Sequence, residues 1–201
     1  MIRSWTERSR SKPFDSEGDE EVAERKLQER SERVSIGARI VAFLLDYVLI
    51  AGYLAVLFVV SFPAQPLIKP LFTTSPLTAE LSGFLIITLP VYLYFAVCEG
   101  SKSHATWGKR KMGIAVAGVR DRPVGLGTSL LRSALKLAPW ELAHFAVWHI
   151  VIPSELPASL VYTALATVYV LVFAYVISPF WNPRRQTIYD SIAGTVVTYS
   201  K

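Results

Sequence analysis

Asp46 lies within the apolar run Ile40–Val60 (IVAFLLDYVLIAGYLAVLFVV), a stretch long enough to cross a bilayer. If the helix enters the membrane near Ala38, the carboxyl is roughly 12 Å deep, close to the midplane of a hydrocarbon core of about 30 Å. A charge there costs on the order of 2.5–3.5 kcal/mol, so such a group is protonated, paired with a cation from another helix, or turned toward a wet cavity. The chemistry open to it is exchange of a proton or cation; its plainer role is a packing ion pair. Arg39, seven residues earlier, returns to within about 20° of the same face. Its side chain leans toward the headgroups, so Asp46 needs a partner from elsewhere.

Arg132 and Lys136 supply bases at matching height. Read inward from Leu126, they fall roughly 9 and 15 Å deep, and their i, i+4 spacing puts both on one helix face, which is expected to meet the Asp46 face. The alternative is that residues 126–137 lie along the interface and the two cations snorkel. Further on, Glu141 and His144 stand at i, i+3, the half-motif of di-iron bundles. The additional intramembrane carboxylates of such a site are missing, so a hydrogen-bonded pair is expected rather than a metal centre. Asp190 follows an Asn-Pro turn and Thr187, a good N-cap, and precedes Gly194, a good helix stop. It can cap this short helix, bind a cation, or pair with Arg39 at the headgroup level.

The elements that position these groups follow from composition. The chain has 201 residues, is 52% hydrophobic and has mean hydropathy +0.36, which reads as one small membrane domain. Four spans fit, near residues 36–60, 79–98, 126–152 and 158–180. The fold class expected is therefore all-α and polytopic, with four transmembrane helices. Residues 114–119 and 195–199 are β-branched runs too short to be stable alone, and should pair in a small cytoplasmic sheet. Pro90 and Pro139 should bend spans two and three, each freeing a carbonyl one turn upstream. Four prolines in 61–78 argue against regular helix there.

Lys and Arg crowd the segment before the first span, the loop between spans two and three, and the C-terminus, while the two outer loops hold only Lys69. The termini are thus expected in the cytoplasm of a multi-pass plasma-membrane protein. The net charge of +5 then reflects membrane sidedness, with the lipid bilayer as partner and no nucleic acid. Residues 1–35 are a charged tail with too few apolar side chains for a core, expected to be disordered or at most a solvated helix. The first apolar run is too long for a cleavable signal and should act as an uncleaved anchor. Cys98, the single cysteine, excludes an intrachain disulfide and a zinc site of paired cysteines.

Arg39 and Asp46 in Ala-Arg-Ile-Val-Ala-Phe-Leu-Leu-Asp-Tyr, with Asp190 in Thr-Ile-Tyr-Asp-Ser-Ile-Ala-Gly-Thr, resemble the RDD family of membrane proteins, named for one Arg and two Asp. Ala105-Thr-Trp-Gly-Lys-Arg-Lys-Met-Gly113 is similar to its Gly-Lys-Arg loop, with His104 where a small Gly is common and Trp107 where Pro or Leu is common. The resemblance covers about residues 36–199 and implies transport of unidentified ligands, sodium–proton exchange in some members, or a scaffold role in membrane complexes. The leading expectation is a transporter of a small solute or cation. In it Asp46 alternates between a proton or cation and Lys136 or Arg132, while Arg39 and Asp190 latch the cytoplasmic end. A protein this small would then work as a homo-oligomer or within a complex. The second expectation is a non-transporting scaffold or assembly factor whose ion pairs fix helix register. No phosphate-binding loop, cofactor fingerprint or supported nucleophile–base pair is present in the sequence, so neither an enzyme nor a cofactor is expected.

Overall fold

The structure is a computed structural model and describes residues 34–119 and 122–200. Residues 1–33 of the charged tail, and the disorder expected of them, lie outside the described residues; Val34 is buried and Ser35 caps the first helix. Helix α1 (Ile36–Ser61) starts at Ser35, whose Oγ accepts from the Ala38 N–H at 3.1 Å. Only Ala42 and Asp46 of this helix are buried; Phe43, Val48, Phe58 and Val59 are among its many exposed large apolar side chains. Such a surface suits hydrocarbon rather than water. A short helix α2 (Gln65–Thr73) follows, then α3 (Pro76–Gly100), whose residues Phe84–Thr88 form a π turn.

The 61–78 segment is therefore not the non-helical loop its prolines predicted. Pro66 takes the first turn of α2, where its missing N–H has no helical partner anyway, and Pro76 does the same in α3 behind the Ser75 cap. Pro70 alone removes an internal bond, and two residues on Phe72 seats its ring 5.6 Å from that of Trp148.

Beyond α3 come α4 (Trp107–Lys111), β1 (Ile114–Gly118), α5 (Leu126–Val151), α6 (Ala158–Trp181), α7 (Ile188–Ala193) and β2 (Thr195–Tyr199). The expected strand pairing forms: β1 and β2 run antiparallel with Ile114 opposite Tyr199 and Gly118 opposite Thr195. Ile114, Val116, Thr195 and Val197 alternate inward, and Ile114 and Val197 join Val34 and Ala42 in a small core. This sheet end gathers the start of α1, the end of α3 and the end of α6. Helices α5 and α6 are antiparallel: Tyr175 near the end of α6 bonds Leu135 early in α5, and Phe145 late in α5 shares a cavity wall with Ser159 at the start of α6.

Among the described residues, three helices are long and apolar enough to cross a membrane: α1, α3 and α6. The expected fourth, α5, has 26 residues but carries Arg132, Lys136 and Glu141 along its length. Lipid gives helices no hydrophobic reason to associate, so contacts rest on small residues and hydrogen bonds. Ala96, Ser129 and Ser133 are fully buried, and a side chain at Gly100 would stand 3.1 Å from the Leu126 backbone. At two of the helix-interior prolines the expected freed carbonyl finds another donor. Pro90 frees the Ile86 carbonyl, which accepts from the Tyr53 hydroxyl of α1; Pro139 frees that of Leu135, which accepts from Tyr175 Oη at 2.8 Å. Two tyrosines thus repair two proline defects across helix boundaries.

Candidate functional site

Arg39, Asp46, Arg132 and Asp190 converge at the sheet end, with partners other than those expected. Asp46 is 2% exposed and meets neither Arg132 nor Lys136. Its Oδ1 accepts from the Tyr94 hydroxyl and the Gly108 N–H, each at 2.7 Å, and its Oδ2 from the Thr106 hydroxyl at 2.6 Å. Three neutral donors satisfy the carboxylate. The local cause is the loop after α3, where Thr106 caps α4 and brings its first N–H groups over α1. A Cβ at Gly108 would lie 2.1 Å from the Ala42 carbonyl oxygen, so glycine alone allows the approach. His104 shapes the same loop in the left-handed region (φ 46°), where the resemblance expects glycine; its Nδ1 stands 3.2 Å from the Glu99 carbonyl.

The expected pair between Arg39 and Asp190 is also absent. Arg39 donates through Nη1 to the Arg185 carbonyl at 2.6 Å and through Nη2 to the Val197 carbonyl at 3.2 Å, tying α1 to the C-terminal segment by backbone alone. Asp190 instead takes Arg132, whose Nε donates to Oδ1 at 2.7 Å. Its other oxygen accepts from Thr187, completing the reciprocal cap at the start of α7, while Gly194 ends that helix in the left-handed conformation, as the spacing predicted. Burial would push the Asp190 carboxyl upward, but the Arg132 guanidinium and the Thr187 hydroxyl hold it below its ordinary value.

Glu99 is the acid that the sequence reading missed. The second span was drawn to end at Cys98, yet Glu99 occupies the last turn of α3, is fully buried, and bridges Arg132 Nη1 to Lys109 Nζ, the latter at 2.5 Å. Burial lowers the Lys109 pKa, and Glu99 opposes that shift. The chain Lys109–Glu99–Arg132–Asp190 has two positive and two negative members, all buried, and links α4, α3, α5 and α7. A signal was available: Glu99 is a carboxylate directly abutting an apolar span, six residues before the start of the family-like Gly-Lys-Arg loop at Ala105.

Lys136 stands apart. Among the described residues it has no carboxylate partner and sits 3.2 Å from the centroid of the Phe95 ring. It lines a cavity of 320 Å³ between α1, α5 and α6, together with Arg39, Asp46 and Asp190. At the far end of α5, Glu141 and His144 face each other at 3.5 Å, and no group of three or more metal-ligating side chains forms among the described residues.

No curated protein and no solved structure matches the chain. The model of the RDD family matches residues 33–194, which span Arg39, Asp46, the loop over Asp46 and the Asp190 helix, and the chain belongs to that family.

Proposed function

We propose that this membrane protein moves a small anionic solute across the plasma membrane through the space between α1 and the α5–α6 pair, with both termini cytoplasmic. The reading treats α5 as a fourth span: it is antiparallel to α6, its 26 residues measure about 39 Å, and Arg132 is turned inward into ion pairs. The observation that carries it is the 320 Å³ cavity, whose acids Asp46 and Asp190 are already engaged while the Lys136 ammonium is not. Unengaged charge in a cavity of this size favours a ligand of opposite sign. Lys136 thus replaces Asp46 as the exchanging group, and Asp46 holds the loop that closes the sheet end.

The test is uptake of labelled small organic anions into proteoliposomes under an imposed pH gradient. Uptake above that of empty vesicles, lost in Lys136→Met, supports the reading; no uptake by the wild type overturns it. The scaffold reading draws on the buried four-membered chain, which is neutral and internally paired, as a device for fixing helix register requires. It expects no uptake, and a loss of complex recovery when that chain is broken.

A further inference from the structure

Two cavities share Lys136 as a wall residue. The one toward the sheet end, 320 Å³, has Ile40 and Phe43 of α1 facing Val176 and Phe180 of α6. The second, 290 Å³, continues away from the sheet between α1, α3 and α5, with Ile50, Leu54, Val91 and Trp140 among its walls. Phe43, Lys136, Tyr175 and Tyr189 line both. Each is bounded on one side by α1, whose outer face is apolar.

Their polar groups are unequally used. Asp46 accepts three donors, and Asp190 accepts from Arg132 and Thr187. Trp140 Nε1 donates to the Thr88 hydroxyl at 3.2 Å. Two cationic donors stay unengaged among the described residues: the Lys136 ammonium, with only the Phe95 ring beneath it, and the buried Nε of Arg39. A buried cationic donor without an acceptor is costly, and an anion relieves that cost. A carboxylate gives the Lys136 ammonium the acceptor it lacks. The second cavity, 290 Å³ and mostly apolar, suits a single chain.

We infer that the two adjoining cavities bind a long-chain carboxylate drawn from the bilayer, its head at Lys136 Nζ and its chain lying along α1 toward Leu54. The site is the one invoked for solute movement, but the inference requires only binding.

The full chain in phosphatidylcholine nanodiscs, titrated with doxyl-labelled stearate, should show saturable quenching of tryptophan fluorescence. Unlabelled palmitate should reverse it at least about tenfold more potently than hexadecanol, which lacks the charge. Lys136→Met should weaken palmitate binding by about tenfold or more, and Lys136→Arg should restore it to within about threefold. Equal potency of palmitate and hexadecanol overturns the inference, as does reversal by inorganic phosphate alone or by phosphatidylglycerol as effectively as by palmitate. Should Lys136→Met not fold, the wild-type comparison of the two sixteen-carbon ligands decides. Binding without anion uptake in vesicles removes the transport reading and leaves this site standing; uptake of short anions without palmitate binding does the reverse.

Discussion

The Gly108 N–H donates to Asp46 Oδ1 at 2.7 Å, and the glycine's missing side chain is what lets the two meet. One residue's lack of a Cβ and another's carboxylate together fasten the loop after α3 to α1. The obstacle to any side chain is the Ala42 carbonyl oxygen, 2.1 Å from an added Cβ, and backbone of a helix moves only at cost. Gly108→Ala should therefore destabilise the protein by about 3 kcal/mol or more, at or beyond the upper end of ordinary overpacking. Gly127→Ala, with nothing within 4 Å, should be neutral or raise stability by up to about 1 kcal/mol in its helix. Denaturant unfolding in detergent compares the two, and an innocuous Gly108→Ala would refute the close approach.

Asp46 itself should respond to substitution as a hydrogen-bond acceptor. Asp46→Asn keeps one carbonyl oxygen for Gly108 and Tyr94, and its amide can donate to the Thr106 hydroxyl, whose rotor is free to turn. The loss is that of charge assistance, about 1–2 kcal/mol. Asp46→Ala strands three donors in a buried place and should cost about 3 kcal/mol or more. Were Asp46 a transported proton's carrier, Asn would abolish uptake while leaving stability nearly intact; here stability should fall first, and thermal melts alongside uptake separate the two.

The sequence reading succeeded where the determinants are local. Thr187, Asp190 and Gly194 bound or lie in one short helix, and their capping pattern is a matter of spacing; the β-branched runs at 114–119 and 195–199 had few partners other than each other, and pair over 114–118. Pro90 and Pro139 disclosed their freed carbonyls for the same reason, although not the tyrosines that accept the task. What failed was pairing between helices. Depth along an axis can be counted from residue numbers, but the azimuth at which neighbouring helices meet cannot, so Arg132 was assigned to Asp46 when it faces Asp190 and Glu99. Arg39 was assigned to an acid when two backbone carbonyls, invisible as sequence features, receive it. Glu99 escaped because a span boundary drawn at Cys98 placed it outside.

Breaking the buried chain of charges at Arg132 should be the most damaging single change at the sheet end. Arg132→Met leaves both Glu99 and Asp190 short of a cation, an expected loss of about 3–5 kcal/mol. Adding Asp190→Asn to Arg132→Met should recover part of it, so the two changes are less than additive, with a coupling of about 1 kcal/mol or more. The same cycle run on Arg39 and Asp190 should give a far smaller coupling, because Arg39 bonds to carbonyls. Equal couplings in the two cycles would restore the pairing that the sequence first implied.

Acid should reach this end of the molecule through Asp190. With its folded pKa held below the unfolded value of about 3.9, the carboxylate contributes stability that is fully present above that value and lost as pH falls through the depressed folded one. Between about pH 7 and 5 the Asp190 contribution should therefore be constant, and below about pH 4 it should decline. Asp190→Asn removes the dependence on this group: wild type and variant should differ in unfolding free energy by a fixed amount near neutrality and converge in acid. Denaturant titrations of both proteins across that range make the measurement. A difference that widens as pH falls would mean that the carboxyl is protonated more readily when folded, and that Arg132 does not govern it.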